Sequence, residues 1–164
     1  MRRILAALAA LLAALPAPAD TEAAEGDLKA AIVYRMTLFM HWPSRAPREP
    51  VRICVMGRDA TAEALLRLPA VSDTPVAVQR LDRRDEPAGC HVLYLGAEPI
   101  EGRSLPEKHL ITVTQGGAPP GVIHLDIENA RVVFDVDLAQ ARATRVELRA
   151  QLLKLARKVS GVSP

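Results

Sequence analysis

Two short runs constrain this chain most: Val51-Arg52-Ile53-Cys54-Val55-Met56-Gly57 and Cys90-His91-Val92-Leu93-Tyr94-Leu95-Gly96. Each is a nearly unbroken apolar stretch closed by glycine, the pattern of a central strand buried on both faces. A strand with two dry faces needs cover on either side, so the remaining segments must supply it. The same two runs carry the only two cysteines in the chain.

The start of the chain has the layout of an export leader. Met1-Arg2-Arg3 is basic, residues 4–15 form an apolar Ala/Leu run, and Ala17-Pro18-Ala19 gives the small-x-small pattern of a cleavage site. The expectation is a cleaved signal peptide over 1–19, a flexible leader over 20–26 and one α/β domain over 27–164. The apolar run is too short to span a bilayer, so no membrane insertion is expected once it is removed. Without Arg2 and Arg3 the 21 basic residues become 19, equal to the 19 acidic ones. A neutral chain has no global field to hold nucleic acid or an anionic membrane, and 3% aromatic content argues against a base-stacking surface.

Export places the cysteines where disulfides persist. An even pair on two core strands reads as a Cys54 to Cys90 bond, worth on the order of 4 kcal/mol by loop closure. The alternative is two buried, inert thiols.

From Asp27, a plausible N-cap, the periodicity is helical through Leu28, Ala31, Ile32 and Phe39 until Pro43 stops it. The block 34–43 holds the only Trp and reads as a core-packing helix. Beyond the Cys54 strand, a helix over 60–68 ends at Pro69, and a strand covers 76–81. The polar connection 82–89 leads to the Cys90 strand, and a Pro-broken segment over 98–108 leads to a strand over 110–114. Residues 82–89 are few for a parallel crossover. Ile123, Leu125 and Ile127, then Val132, Phe134 and Val136, alternate with other residues around Glu128-Asn129-Ala130, which predicts an antiparallel hairpin. Asp137 with Gln140 and Thr144 with Glu147 form two capping-box patterns. The second predicts a helix burying Leu148, Leu152, Leu155, Ala156 and Val159. The fold class expected is a layered α/β sandwich with a mostly parallel, Rossmann-like central sheet, a C-terminal antiparallel hairpin and packed helices.

Chemical motifs are scarce. There is no HExxH, Walker loop, GxSxG or CxxC, so no catalytic residue, cofactor site or metal site is assigned. His41, His91, His109 and His124 lack the short local spacing of closed metal sites. Asp135 and Asp137 share a strand face, but Asp137 already has a capping role. Residues 115–121 read as a flexible turn. Arg142, Arg145, Arg149, Lys154, Arg157 and Lys158 are placed along the outer side of the terminal helices, either as a solvated face or as a ridge for a partner. The crevice beyond Gly57 and Gly96, at the strand ends, is the alternative site, for a small ligand.

Read together, these segments resemble the YfiR-like family of periplasmic regulators. The resemblance is carried by Leu28-Lys29-Ala30-Ala31 through Phe39, Trp42 and Pro43, by the two cysteine strands, and by Gly121-Val122-Ile123-His124-Leu125. It extends through Arg131-Val132-Val133-Phe134-Asp135-Val136-Asp137-Leu138 and Gln151-Leu152-Leu153-Lys154-Leu155-Ala156-Arg157. Arg35, Leu38, His124, Asp137 and Arg149-Ala150 depart from residues common in the family. The resemblance implies a non-enzymatic periplasmic protein that binds the periplasmic sensor domain of a membrane-bound diguanylate cyclase. It restrains that enzyme and lowers cyclic-di-GMP signalling and biofilm output until redox or envelope signals lift the restraint. A homodimer is left open.

Overall fold

The computed structural model describes residues 18–69, 76–97, 105 and 108–161. Almost all of the expected leader, and most of the Pro-broken segment over 98–108, lie outside the described residues.

Helix α1 spans Pro18–Thr37, so it begins ahead of Asp27 and takes in residues 20–26, expected to be flexible. Ala and Glu in that stretch favour helix, and Gly26 gives the contact that anchors it. A Cβ on Gly26 would lie 2.7 Å from the Ala60 backbone, so α1 crosses the start of the next helix at a distance only glycine allows. Ala30, Val33 and Met36 form its buried stripe. The helix ends in tight turns, with Leu38 N donating to Arg35 O at 3.1 Å and Phe39 N to Met36 O at 2.9 Å.

Strand β1 (Met40–His41) follows, then β2 (Val51–Val55), helix α2 (Ala60–Arg67) and β3 (Val76–Arg80). Asp59 caps α2, accepting from Ala62 N at 2.9 Å. Strands β4 (Val92–Gly96), β5 (Ile111–Gln115), β6 (Ile123–Glu128) and β7 (Arg131–Asp137) come next. The chain then runs through α3 (Leu138–Thr144), β8 (Glu147–Leu148), α4 (Ala150–Leu155) and β9 (Lys158–Ser160). The main sheet has seven strands in the order β3-β2-β4-β5-β6-β7-β9, while β1 and β8 form a separate antiparallel pair. Every neighbouring pair in the main sheet is parallel except the β6–β7 hairpin. The expected mostly parallel α/β architecture is therefore the one observed.

Alternation along the central strands splits the core in two. Ile53, Val55, Val92, Tyr94, Ile111 and Val113 join the larger cluster with α1 and α2. Cys54, Met56, Leu93 and Leu95 face the other way, where Cys90 and Leu110 complete a second cluster. The short connection 82–89 belongs to that second side. The step from β2 through α2 to β3 moves one way along the sheet, and the step from β3 to β4 moves back past β2. Keeping both crossovers right-handed puts the second on the face opposite the helices. Leu81 N pins its start to Val55 O at 2.9 Å, and buried Pro87 and Cys90 press its end onto the sheet. A strap with a turn near each end thus does the work of a crossover helix.

The C-terminal expectation needs correcting. Thr144 does not cap a second helix. Its hydroxyl donates to Ala141 O at 2.7 Å and accepts from Val146 N at 3.2 Å, closing α3, while Arg145 turns into the left-handed region at φ 61°. Leu148 and Val159 lie on β8 and β9, on either side of a short α4, and Leu155 is 68% exposed.

Candidate functional site

Cys54 and Cys90 are bonded, with Cα atoms 5.8 Å apart. Cys54 lies on β2, whereas Cys90 lies in the strap just before β4, so the bond fastens strap to sheet rather than strand to strand. Gln79 Nε2 donates to Cys54 Sγ at 3.4 Å from the neighbouring strand.

Beside this bond opens a cleft of about 360 Å³ whose lining includes Arg45, Glu49, Arg52, Cys90, Lys108 and His109. Arg52, exiting β2, bonds Glu49 Oε1 through Nη2 at 2.8 Å, and its guanidinium lies over Gly89, whose φ is +74°. Arg45 donates Nη1 to the carbonyl of Glu49. The Nε atoms of both arginines are shut off from solvent without a hydrogen-bond partner, which costs free energy wherever it occurs. His91 accepts from Arg52 N at its Nδ1, 3.0 Å away, so a neutral ring carries its proton on Nε2. Burial holds this imidazole below its usual pKa, against the opposing pull of Glu49. His109, also on the cleft wall, adopts φ 65°.

A second concavity, of about 370 Å³, is mostly apolar. It runs between α1, β7 and α4, with Ile32, Met36, Phe39, Phe134, Leu152 and Leu155 on its walls. Arg35 and Arg157 belong to the same lining. Arg157 is engaged within the fold, donating from Nη2 to Asp135 at 2.7 Å and from Nη1 to Asp126 at 3.2 Å. Those bonds hold the Asp135 carboxyl below the usual carboxylate range. Asp126 is lowered first by the Ile127 N–H and then by Arg157.

At the strand ends expected to border a crevice, the described residues Gly57 and Gly96 are closely packed. A Cβ on Gly57 would stand 2.9 Å from the Tyr94 ring, and one on Gly96 would strike the Asp59 carboxylate. Tyr94 Oη donates to Asp59 at 3.0 Å, and burial together with that carboxylate pushes the phenol well above its ordinary pKa. The switch point serves packing and the α2 cap.

The six basic candidates do not form one helical ridge. Arg142 sits on α3 and donates to Gly161 O at 3.3 Å. Arg145 is the left-handed C-cap, Arg149 precedes α4, and Lys154 lies on α4. Arg157 is tied to two aspartates, and Lys158 opens β9. Asp137 accepts from Gln140 N at 3.0 Å as the α3 cap. Among the described residues, no group of three or more His, Cys, Asp or Glu is placed to hold a metal ion.

Sequence reasoning named the cysteines but missed both concavities. The groove residues come from several elements, and each reads locally as ordinary core. Leu155, expected to be buried, lies on a helix too short to bury it and is 68% exposed. No helix among the described residues is long and apolar enough to cross a membrane. No curated protein matches the chain. Residues 26–157, from the middle of α1 to just past α4, match the YfiR/HmsC-like family. That span takes in the stapled strap, the hairpin and both concavities, and the chain belongs to the YfiR/HmsC-like family.

Proposed function

We propose that this chain is an exported periplasmic regulator, without enzymatic activity of its own. It binds the periplasmic sensor domain of a membrane-bound diguanylate cyclase and restrains it, lowering cyclic-di-GMP output. Family membership supports the regulatory class and the pathway. In this reading residues 1–19 serve as the cleaved leader, and the Cys54–Cys90 bond keeps the domain in its binding shape.

The observation that carries a binding role is the apolar groove. Leu155 is 68% and Leu28 51% exposed, on the two helices that flank it or lead into it. Large apolar side chains gathered around a concavity are typical of a surface that another protein covers. Lys154 shares α4 with Leu152 and Leu155, so the basic candidates contribute at most a rim to such a contact.

The test is a pull-down, under oxidising conditions, with the periplasmic portion of a membrane cyclase encoded beside this protein. Wild type is expected to be retained and Leu155→Asp to be lost. A wild type that fails to bind overturns the reading. Sizing the free protein by sedimentation separates a homodimer from a monomer that awaits its partner.

A further inference from the structure

We propose that the cleft beside the disulfide is a binding site for a doubly charged oxyanion, either inorganic phosphate or the phosphate group of a small monoester. Among the described residues on its wall, Arg45, Arg52 and Lys108 are basic and Glu49 is acidic. The local balance is therefore two positive charges on a chain that is otherwise close to neutral.

The arginines have donors to spare. A guanidinium offers five N–H bonds, yet Arg45 is recorded using only Nη1, toward Ala46 O and Glu49 O, and Arg52 only Nη2, toward Glu49. Lys108 is exposed and forms no ion pair with another described residue. Two planar forks and an ammonium around one concavity match the geometry by which tetrahedral oxyanions are held.

Backbone geometry brings these groups together. Gly89, at φ +74°, turns the strap beneath the Arg52 guanidinium, and Lys108 lines the same cleft next to His109, whose φ is 65°. The site stands apart from the apolar groove, so it is independent of the partner contact.

Trp42 reports on the cleft. Its ring meets His91 edge-on at 5.4 Å, and it is the only tryptophan. Purified, disulfide-intact protein is titrated with inorganic phosphate and, in a second arm, with glycerol 3-phosphate, at matched ionic strength, by calorimetry and Trp fluorescence. Saturable single-site binding is expected, at least tenfold weaker in the double variant Arg45→Gln, Lys108→Gln and unchanged in Arg142→Gln. Tighter binding of the ester identifies a metabolite as the ligand, and equal binding identifies the free ion. If the double variant does not fold, Lys108→Gln alone, at an exposed position, is expected to weaken binding at least threefold. Absence of saturable binding in both arms, or an affinity unmoved by these substitutions, overturns the proposal.

Discussion

Trp42 Nε1 donates to the carbonyl oxygen of His109 at 3.1 Å, joining the segment after α1 to the approach of β5. The indole is 1% exposed, so its N–H has no water to fall back on. Trp42→Phe keeps most of the ring but strands that carbonyl, and is expected to lower unfolding free energy by about 1–3 kcal/mol. Urea unfolding followed by circular dichroism measures it.

The disulfide closes a loop of 36 positions. Loop-closure entropy for that length is about 4 kcal/mol, an upper figure where the unfolded chain keeps structure. Cys54→Ala with Cys90→Ala is expected to lose up to that amount, and proteolysis of the folded variant to begin within residues 82–89. Chemical unfolding and mapping of early cleavage sites test both.

At the apolar groove, Leu155→Asp touches a side chain that solvent already reaches. Surface changes of this kind shift stability by no more than about 0.5 kcal/mol. Partner affinity is expected to fall at least tenfold while the melting temperature holds, as read by calorimetry of the complex and of the free protein.

Acid acts in two windows. His91 has a lowered folded pKa, so below about pH 6.5 the unfolded chain takes up a proton that the folded one refuses, and stability falls with pH until the folded value is reached. Asp126 and Asp135 are also lowered. Their contribution is complete above about pH 4 and fades as pH drops through their folded values. Melting temperature against pH is expected to lose the upper slope in His91→Asn, which keeps an acceptor for Arg52 N, and part of the lower slope in Arg157→Gln.

Gly121 has no space for a side chain, because a Cβ there would come within 2.7 Å of Thr112 Oγ1. Its N–H also bonds Thr114 Oγ1 at 3.0 Å, and Val122 N bonds Thr112 Oγ1 at 3.0 Å, which is how so short a loop joins the parallel pair β5 and β6. Gly121→Ala is expected to cost about 1–3 kcal/mol by overpacking, measured by thermal unfolding.

What the residues announced was local. The hairpin was legible because β6 alternates with period two, and Asn129 and Ala130, both at positive φ, make its turn. Pro69 marked the end of α2, and the two cysteine runs marked the centre of the sheet. What depended on distant partners was not legible. Thr144 and Glu147 have the spacing of a capping box, yet Glu147 is paired with His41 on β1, a contact no local pattern encodes. Residues 20–26 look like a polar leader until Gly26 meets Ala60. Arg45, Arg52 and Lys108 read as scattered surface charges, and only the strap and the His109 turn gather them.

The two sides of the sheet are secured by different means. Dozens of weak van der Waals contacts hold the helical side, and no single chemical event undoes them. The strap side adds to its smaller apolar cluster one covalent link that two electrons and two protons can open. Because Cys90 lines the cationic cleft and Cys54 sits on the central sheet, that single link ties the cleft wall directly to the middle of the fold.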